Sequence, residues 1–327
     1  MILIHRVQNL LQHRVRSARL GFGLVIVSIS LVLAAGCGAG SGKAPAAGQE
    51  VFNTPEEAAE AFILASETFD VATLTQILGP GGVDLVDTGD PVQDRNQSEA
   101  FAMVAREKTQ VIQDPDNPKI AFLWVGVENW PVPIPIVEDG GRWFFDTEAG
   151  REELLNRRIG RNELDAIEVC VGFVEAQYEY ASVRHDGVMV NQYAQRIVST
   201  PGTQDGLAWQ APDGTWQGPV GEAIAMIIAE GYEEKHSPFH GYYFKVLKGQ
   251  GPAAPFGEID FLVKGAMIGG FALAAAPADY GVAGVKTFIV SHTGIVYEQD
   301  LGPDTLEIFR EMELYNPDSS WDPVLEE

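Results

Sequence analysis

Two histidines lie four residues apart in the second half of the chain, close to two acidic residues. His236 and His240 follow Glu233 and Glu234, and two imidazoles with a carboxylate are a common set of zinc ligands. Ligands at this spacing converge only on a helix, because residues i and i+4 share a helix face. Pro238 lies between the two histidines and breaks a helix. The spacing therefore favours a solvated loop, and we expect no metal site.

The other motifs that could support chemistry are incomplete. The chain has no Gly-x-Ser-x-Gly run, which would present a serine nucleophile. Oxygen donors cluster at 114–118 and 185–187, but a calcium loop needs a longer alternation that ends in a bidentate acid. His185 and His292 each lie beside a turn, which predicts surface positions. The sequence thus indicates no catalytic residue, no cofactor-binding residue and no metal ligand.

The first 37 residues have the order of a secretory signal peptide. Four arginines and no acid precede an apolar run at 20–35, and the small residues Ala34, Ala35 and Gly36 lead to Cys37. Such a run is short for a membrane-spanning helix, which needs roughly 20 apolar residues. The pattern therefore predicts a signal peptide at 1–36. The alternative is an uncleaved anchor helix with an incidental cysteine.

The run Leu-Ala-Ala-Gly-Cys at 33–37 resembles the lipobox of bacterial lipoproteins. The resemblance implies cleavage between Gly36 and Cys37, a diacylglycerol on the Cys37 sulfur, and acylation of the new amino group. One acyl chain binds a membrane marginally, whereas two or three on one residue hold it firmly. Gly38, rather than Asp, follows the cysteine, which in the enterobacterial sorting pattern indicates the outer membrane. We expect a lipid-anchored protein of the bacterial cell envelope that faces the periplasm.

The charge balance excludes one class of partner. The chain has 22 basic and 46 acidic residues, and removal of residues 1–36 takes its net charge from −24 to −28. Such a field repels phosphate backbones, so nucleic acid is not an expected partner. With Cys37 consumed by lipid, Cys170 would be the remaining cysteine and no intramolecular disulfide could form. Its place beside an apolar helix stripe predicts a buried structural thiol.

The chain after the leader is long enough for two domains. Residues 37–50 are rich in Gly, Ala and Pro, which predicts a flexible tether. The first domain is expected at 51–155 and the second at 156–315, followed by an acidic tail at 316–327. Both domains are predicted to be α+β.

The first domain begins with a clear helix start at Thr54-Pro55-Glu56-Glu57. Helices are predicted at about 55–65, 71–78 and 98–110, and strands at 120–127, 134–138 and 142–146. The turn Asp139-Gly140-Gly141 joins the last two strands as a hairpin. Helices followed by a small antiparallel sheet predict an α+β domain. This opening resembles NTF2-like and SnoaL-like domains, which form a cone with a pocket.

The second domain begins with the most regular apolar stripe in the chain. Leu164, Ile167, Val171, Val174 and Tyr178 repeat at helical spacing and predict a long amphipathic helix at 162–180, with the intervening acids facing solvent. A further helix is expected at about 220–230. Strands at 242–247, 259–263, 271–275, 287–290 and 295–298 predict an antiparallel meander sheet, and a last helix lies near 305–314.

Several runs resemble a bacterial envelope family of unknown function, catalogued as number 2950. They include Asn-Arg-Arg-Ile-Gly-Arg-Asn-Glu-Leu at 156–164, Met-Ile-Gly-Gly-Phe-Ala at 267–272 and Val-Tyr-Glu-Gln-Asp-Leu-Gly-Pro at 296–303. The resemblance covers nearly all of the mature chain and implies no activity or substrate. The second domain also resembles the globular heads of type IV pilins and pseudopilins, although no membrane-spanning segment precedes its helix.

These observations favour a non-enzymatic envelope lipoprotein, a binding or accessory module that contacts another envelope protein or a cell-wall component. A hydrolase whose site is assembled from distant residues is the alternative. A secretion or pilus accessory protein is a third option, drawn from the pilin resemblance.

Overall fold

The fold is taken from a computed structural model that describes residues 44–87, 89–221 and 238–325. The predicted signal peptide, Cys37, His236 and nearly all of the helix expected at 220–230 lie outside the described residues. The described chain is α+β, which confirms the predicted fold class, and its helices lie mainly towards the N-terminus. It divides into two compact units, an N-terminal unit that ends at Arg157 and a C-terminal unit that begins at Arg158.

Short helices open the N-terminal unit. They are α1 (Pro55–Glu67), α2 (Val71–Leu78), α3 (Val83–Val86) and α4 (Pro91–Glu107), with a 3-10 turn at Pro80–Gly82. Thr54 caps α1, since its Oγ1 accepts a hydrogen bond from Glu57 N at 3.1 Å. Asp90 caps α4 in the same way, through Val92 N and Gln93 N. The start of α4 is seven residues earlier than the sequence predicted, because Asp90-Pro91 is a second cap-and-proline start.

The sheet of the N-terminal unit is antiparallel. Its strands are β1 (Thr109–Gln113), β2 (Ile120–Val125), β3 (Trp130–Pro131), β4 (Ile136–Asp139) and β5 (Arg142–Phe145), in the order β1-β2-β4-β5 with β3 also paired to β2. Gly140 and Gly141 form the predicted two-residue turn, and both have positive φ. The sequence predicted that the third helix would continue to residue 110. Residues 109 and 110 instead belong to β1, which pairs along its whole length with β2.

The residues before α1 are held by this unit. Gln49 Nε2 donates hydrogen bonds to the carbonyl oxygens of Ile77 (3.1 Å) and Phe145 (2.8 Å). Glu50 N donates to Gln76 O at 2.8 Å. The end of the segment predicted as a tether is therefore fastened to the last turn of α2.

One helix of 35 residues, α5 (Thr147–Ala181), runs through the boundary between the units. It includes the helix expected at 162–180 and begins 15 residues earlier. The predicted stripe lies at the edge of its buried face: Leu164 is 69% exposed and Tyr178 is 49% exposed, whereas the middle residues of the stripe are partly buried against the core. The fully buried side chains include Cys170 and Gln177, about 100° further round the helix.

The C-terminal unit is built on an antiparallel meander. The strands of its main sheet are β9 (Tyr242–Leu247), β14 (Ala272–Pro277), β15 (Lys286–Ser291), β16 (Val296–Asp300) and β17 (Asp322–Pro323), and helix α6 (Thr305–Glu311) follows β16. Their order in the sheet is β17-β16-β15-β14-β9. All six residues of β14 are buried. Because successive strand residues point to opposite faces, both faces of this strand are covered.

Smaller ladders complete the C-terminal unit. They are β6 (Arg196–Val198), β7 (Gly206–Gln210) and β8 (Trp216–Gln217), with β6 and β7 parallel, and the pairs β10 (Gly249–Gln250) with β11 (Ile259–Asp260) and β12 (Leu262–Val263) with β13 (Ala266–Met267). No sequence pattern predicts β6 to β8, which lie in and just before a segment rich in Gly and Pro. Cys170 is fully buried in the core of this unit, as predicted.

Candidate functional site

An apolar cavity of about 320 Å³ lies in the N-terminal unit between its helices and the segment around β3. Its wall includes Phe62, Leu74, Leu78, Phe101, Val132 and Ile134. These side chains come from α1, α2, α4 and the residues after β3. A largely apolar cavity with few polar groups is typical of a small-molecule site.

Helical spacing aligns two of the residues that line the cavity. Phe62 and Ser66 are four residues apart on α1 and therefore share one face. Phe69 follows the helix with φ +51°, an uncommon conformation for a bulky side chain, and its ring completes this part of the wall. The Arg95 guanidinium lies 5.3 Å from the centre of that ring. The contact is a cation–π interaction that supports the strained position.

The polar groups of the cavity are few. Ser66 Oγ donates to Phe62 O at 2.8 Å, and Ser98 Oγ donates to Ser66 O at 2.9 Å. Both hydroxyl protons are therefore used within the protein, which leaves the wall near them mostly apolar. Asp94 and Gln97 also contribute to the lining, and Asp94 is only 6% exposed. The side chains that line the cavity thus combine a large apolar area with a small polar region on α4.

The rim of the cavity is aromatic and cationic. Trp130 lines the cavity and is 49% exposed. The Arg157 guanidinium lies 5.2 Å from the Trp130 ring centre, and its Nη1 donates to Pro131 O at 2.8 Å. Arg157 Nε donates to Glu153 Oε1 at 2.7 Å, so its charge is already paired. Leu154, also on α5, is a further rim residue and is 39% exposed.

The C-terminal unit contains a buried carboxylate paired with a histidine. Asp165 is 6% exposed, and its Oδ2 contacts His240 Nδ1. His240 and Gly241 form a two-residue turn between Phe239 and Tyr242, and both turn residues have positive φ, 46° and 77°. A carboxylate that orients an imidazole is a feature of many hydrolases. The pair joins residues 75 apart in sequence.

The structure corrects the expected positions of three histidines. His240 is in a tight turn and paired, rather than in a solvated loop. His185 is 4% exposed and stacks on Tyr180 with ring centres 3.8 Å apart. His292 is half-buried, and burial lowers its pKa. Its neighbours include the rings of Phe261 and Phe271.

The structure leaves several predicted positions untested. Gly36, Cys37 and His236 lie outside the described residues. Within 44–87, 89–221 and 238–325, no group of three or more His, Cys, Asp or Glu side chains is arranged to hold a metal ion. The same residues include no helix that is both long enough and apolar enough to cross a membrane.

The cavity and the Asp165–His240 pair were not found by sequence reasoning. The cavity residues come from four separate elements, and each reads as ordinary core in its own segment. The sequence predicted that the acidic residues of α5 face solvent, so it did not indicate that Asp165 is buried. The only sequence signal for the pair was the His240-Gly241 dipeptide before a strand, a composition that permits a turn with two positive φ angles.

Comparison with protein families assigns the chain. Residues 49–324 match the profile of the family described as "Protein of unknown function (DUF2950)". The chain belongs to this family. The match spans both units, and DUF2950 membership brings no assigned activity.

Comparison of this DUF2950 chain with curated proteins and with solved structures found no match. The resemblances of the two domains to NTF2-like domains and to pilin heads are therefore not confirmed. The support for the meander sheet and the long helix of the C-terminal unit therefore comes from the structure alone.

Proposed function

We propose that this DUF2950 protein is a lipid-anchored binding protein of the bacterial cell envelope, attached through Cys37 and facing the periplasm at the outer membrane. The anchor is supported by the basic start, the apolar run and the lipobox-like residues 33–37. Gly38 supports the outer membrane. The strong negative charge keeps the exported protein from binding nucleic acid and other anionic surfaces.

The binding role rests on the cavity of the N-terminal unit. Its volume of about 320 Å³ is near the lower end of small-molecule sites, which run from roughly 300 to 1,000 Å³. The wall is apolar, and the rim carries one exposed tryptophan. These features favour a slender apolar ligand such as a single acyl chain, with its polar end near the rim. Contact with an envelope protein or a cell-wall component is a further part of the accessory role.

A pair of leucine variants tests the binding role. The lipid-free protein 38–327 is titrated with a fluorescent fatty acid. Leu154→Trp narrows the rim and is expected to weaken binding about tenfold, or about 1.4 kcal/mol. Leu64→Trp is the control, because Leu64 is 56% exposed on α1 and is not among the residues that line the cavity. Failure of the unmodified protein to bind, or equal affinity in both variants, would refute the cavity as the site.

A cysteine variant tests the anchor. Cys37→Ser is expected to abolish labelling of the protein by a fatty-acid analogue in cells and to leave unprocessed precursor. Labelling that survives the substitution would refute attachment at Cys37.

A second candidate function is hydrolysis, favoured by the Asp165–His240 pair. Its test is turnover of ester and amide substrates by the purified protein. Turnover that His240→Gln abolishes while the variant stays folded at the assay temperature would support an enzyme, whereas the binding proposal expects no turnover in either protein.

A further inference from the structure

The start of the described chain is fastened to the helix that forms one wall of the cavity. Gln49 hydrogen-bonds to Ile77 O at the end of α2. The same helix contributes Leu74 and Leu78 to the cavity wall. The segment that leads back to Cys37 therefore joins the described chain five residues before a contact with this helix.

The length of chain between Cys37 and Ala44 limits how far the lipid can lie from the described residues. Cys37 is seven residues before Ala44, the first described residue. An extended chain spans at most about 3.3–3.6 Å per residue, so the two residues can be separated by up to about 25 Å. A helix with its side chains is about 10–12 Å across. The upper limit exceeds the width of a helix, so the segment is long enough to pass one helix.

The cavity matches one acyl chain in size and polarity. Its volume, about 320 Å³, leaves no room for a complete diacyl lipid, and its wall offers mainly aliphatic and aromatic contacts. We propose that one acyl chain of the Cys37 anchor occupies this cavity in its own molecule and thereby regulates access of free ligand. The inference rests on the proposed anchor and on the proposed binding site.

A tethered chain is a strong competitor. A short linker gives an effective concentration on the order of millimolar, which a free ligand must exceed to compete at equal affinity. Each methylene of an acyl chain gains about 0.8 kcal/mol in apolar surroundings, and an apolar cavity can replace the bilayer as those surroundings while the other chains keep the protein attached. The lipidated protein should therefore bind free ligand more weakly than the lipid-free protein.

The first measurement compares affinities. Lipidated protein in lipid nanodiscs and lipid-free protein 38–327 mixed with empty nanodiscs are titrated with the same fluorescent fatty acid. The expected Kd of the lipidated form is higher by a factor on the order of ten or more. The empty discs correct for partition of the fatty acid into lipid.

The second measurement locates the chain. Cells are fed a photoactivatable fatty acid, and the purified protein is irradiated and digested. Crosslinks from the lipidated N-terminal peptide to peptides of α1, α2 or α4 are expected, with fewer in Leu154→Trp and no change in Leu64→Trp.

Two outcomes distinguish failure of this inference from failure of the proposed anchor or of the proposed binding site. Incorporation at Cys37 with equal Kd values and crosslinks to bilayer lipid alone would overturn the inference and leave the anchor and the cavity intact. Absence of incorporation, or absence of binding to the lipid-free protein, would overturn the inference together with the proposed anchor or the proposed site respectively.

Discussion

At the scale of single residues, the Asp165–His240 pair fixes the turn before β9. His240 holds φ +46°, which is uncommon for histidine and is stabilised by the contact with a buried carboxylate. Asp165→Ala removes this hydrogen bond and is expected to destabilise the protein by about 1–3 kcal/mol. Chemical denaturation measures the change. Glu152→Ala, at an exposed position on the same helix, is the control and should cost less than about 0.5 kcal/mol.

A double-mutant cycle isolates the contact itself. If the pair supplies the stabilisation, His240→Ala should cost much less in the Asp165→Ala background than in the unmodified protein. Equal costs in both backgrounds would show that the two side chains act independently. His240→Asn should be tolerated better than His240→Ala, because asparagine favours this turn.

Asp205 gives the protein an acid-sensitive loop between β6 and β7. Burial raises its pKa, but hydrogen bonds from Thr200 N (2.7 Å) and Thr203 Oγ1 (2.8 Å) outweigh burial, so the pKa of Asp205 is lowered overall. A lowered pKa in the folded state contributes stability above the unfolded pKa of about 3.9, and this contribution is lost as the pH falls through the folded pKa.

Asp205→Asn is therefore expected to cost on the order of 1 kcal/mol at pH 7. The difference from the unmodified protein should shrink below about pH 3.9. Thermal melts from pH 7 to pH 2.5 measure it. Asp304→Asn, whose side chain makes no capping hydrogen bond to α6, serves as the control. A difference that stays constant over this range would refute the titration of Asp205 as its cause.

At the scale of elements, sequence reasoning located most helices and strands but misplaced the buried face of α5. The stripe that includes Leu164 and Tyr178 is apolar and regular, yet its ends are exposed. The buried side chains lie on the adjacent face and include the large Phe173 and Tyr180 as well as the small Ala166. Both faces repeat at helical spacing, so periodicity locates the helix but does not decide which of two neighbouring apolar faces is more deeply buried.

Two substitutions on α5 distinguish the two faces. Phe173 is 4% exposed, with its ring 5.8 Å from that of Phe271, and Phe173→Ala is expected to cost about 3–5 kcal/mol. Leu164→Ala should change stability by less than about 0.5 kcal/mol, because the side chain is 69% exposed. Denaturant unfolding compares the two variants. A larger loss of unfolding free energy in Leu164→Ala would support the buried face that the sequence predicted.

At the scale of the whole molecule, the order of predicted helices and strands indicated the fold class, whereas the cavity depended on the packing of separate elements. Phe62, Leu74, Phe101 and Ile134 are ordinary core residues in sequence. The cavity between them results from the packing of separate elements, and no local sequence pattern indicates such a cavity.

The net charge of the whole chain predicts a salt-dependent stability. With a net charge of −24, repulsion destabilises the folded state and is screened as the Debye length falls from about 30 Å at 0.01 M salt to about 8 Å at 0.15 M. The melting temperature should rise by about 2–4 °C over this range. A variant with Glu107, Glu128 and Glu152 changed to Gln should gain less from salt. A melting temperature independent of salt, or one that falls, would refute net repulsion.

The burial of Cys170 makes unfolding of the C-terminal core chemically observable. Thiol reagents attack the exposed thiolate, and burial both shields this side chain and raises its pKa to about 12. In the protein that begins at residue 38, Cys170 is the only thiol. At low reagent concentration the labelling rate reports the equilibrium population of open molecules, and at saturating reagent it approaches the opening rate. A single native thiol therefore gives both the frequency and the speed of core opening without an introduced label.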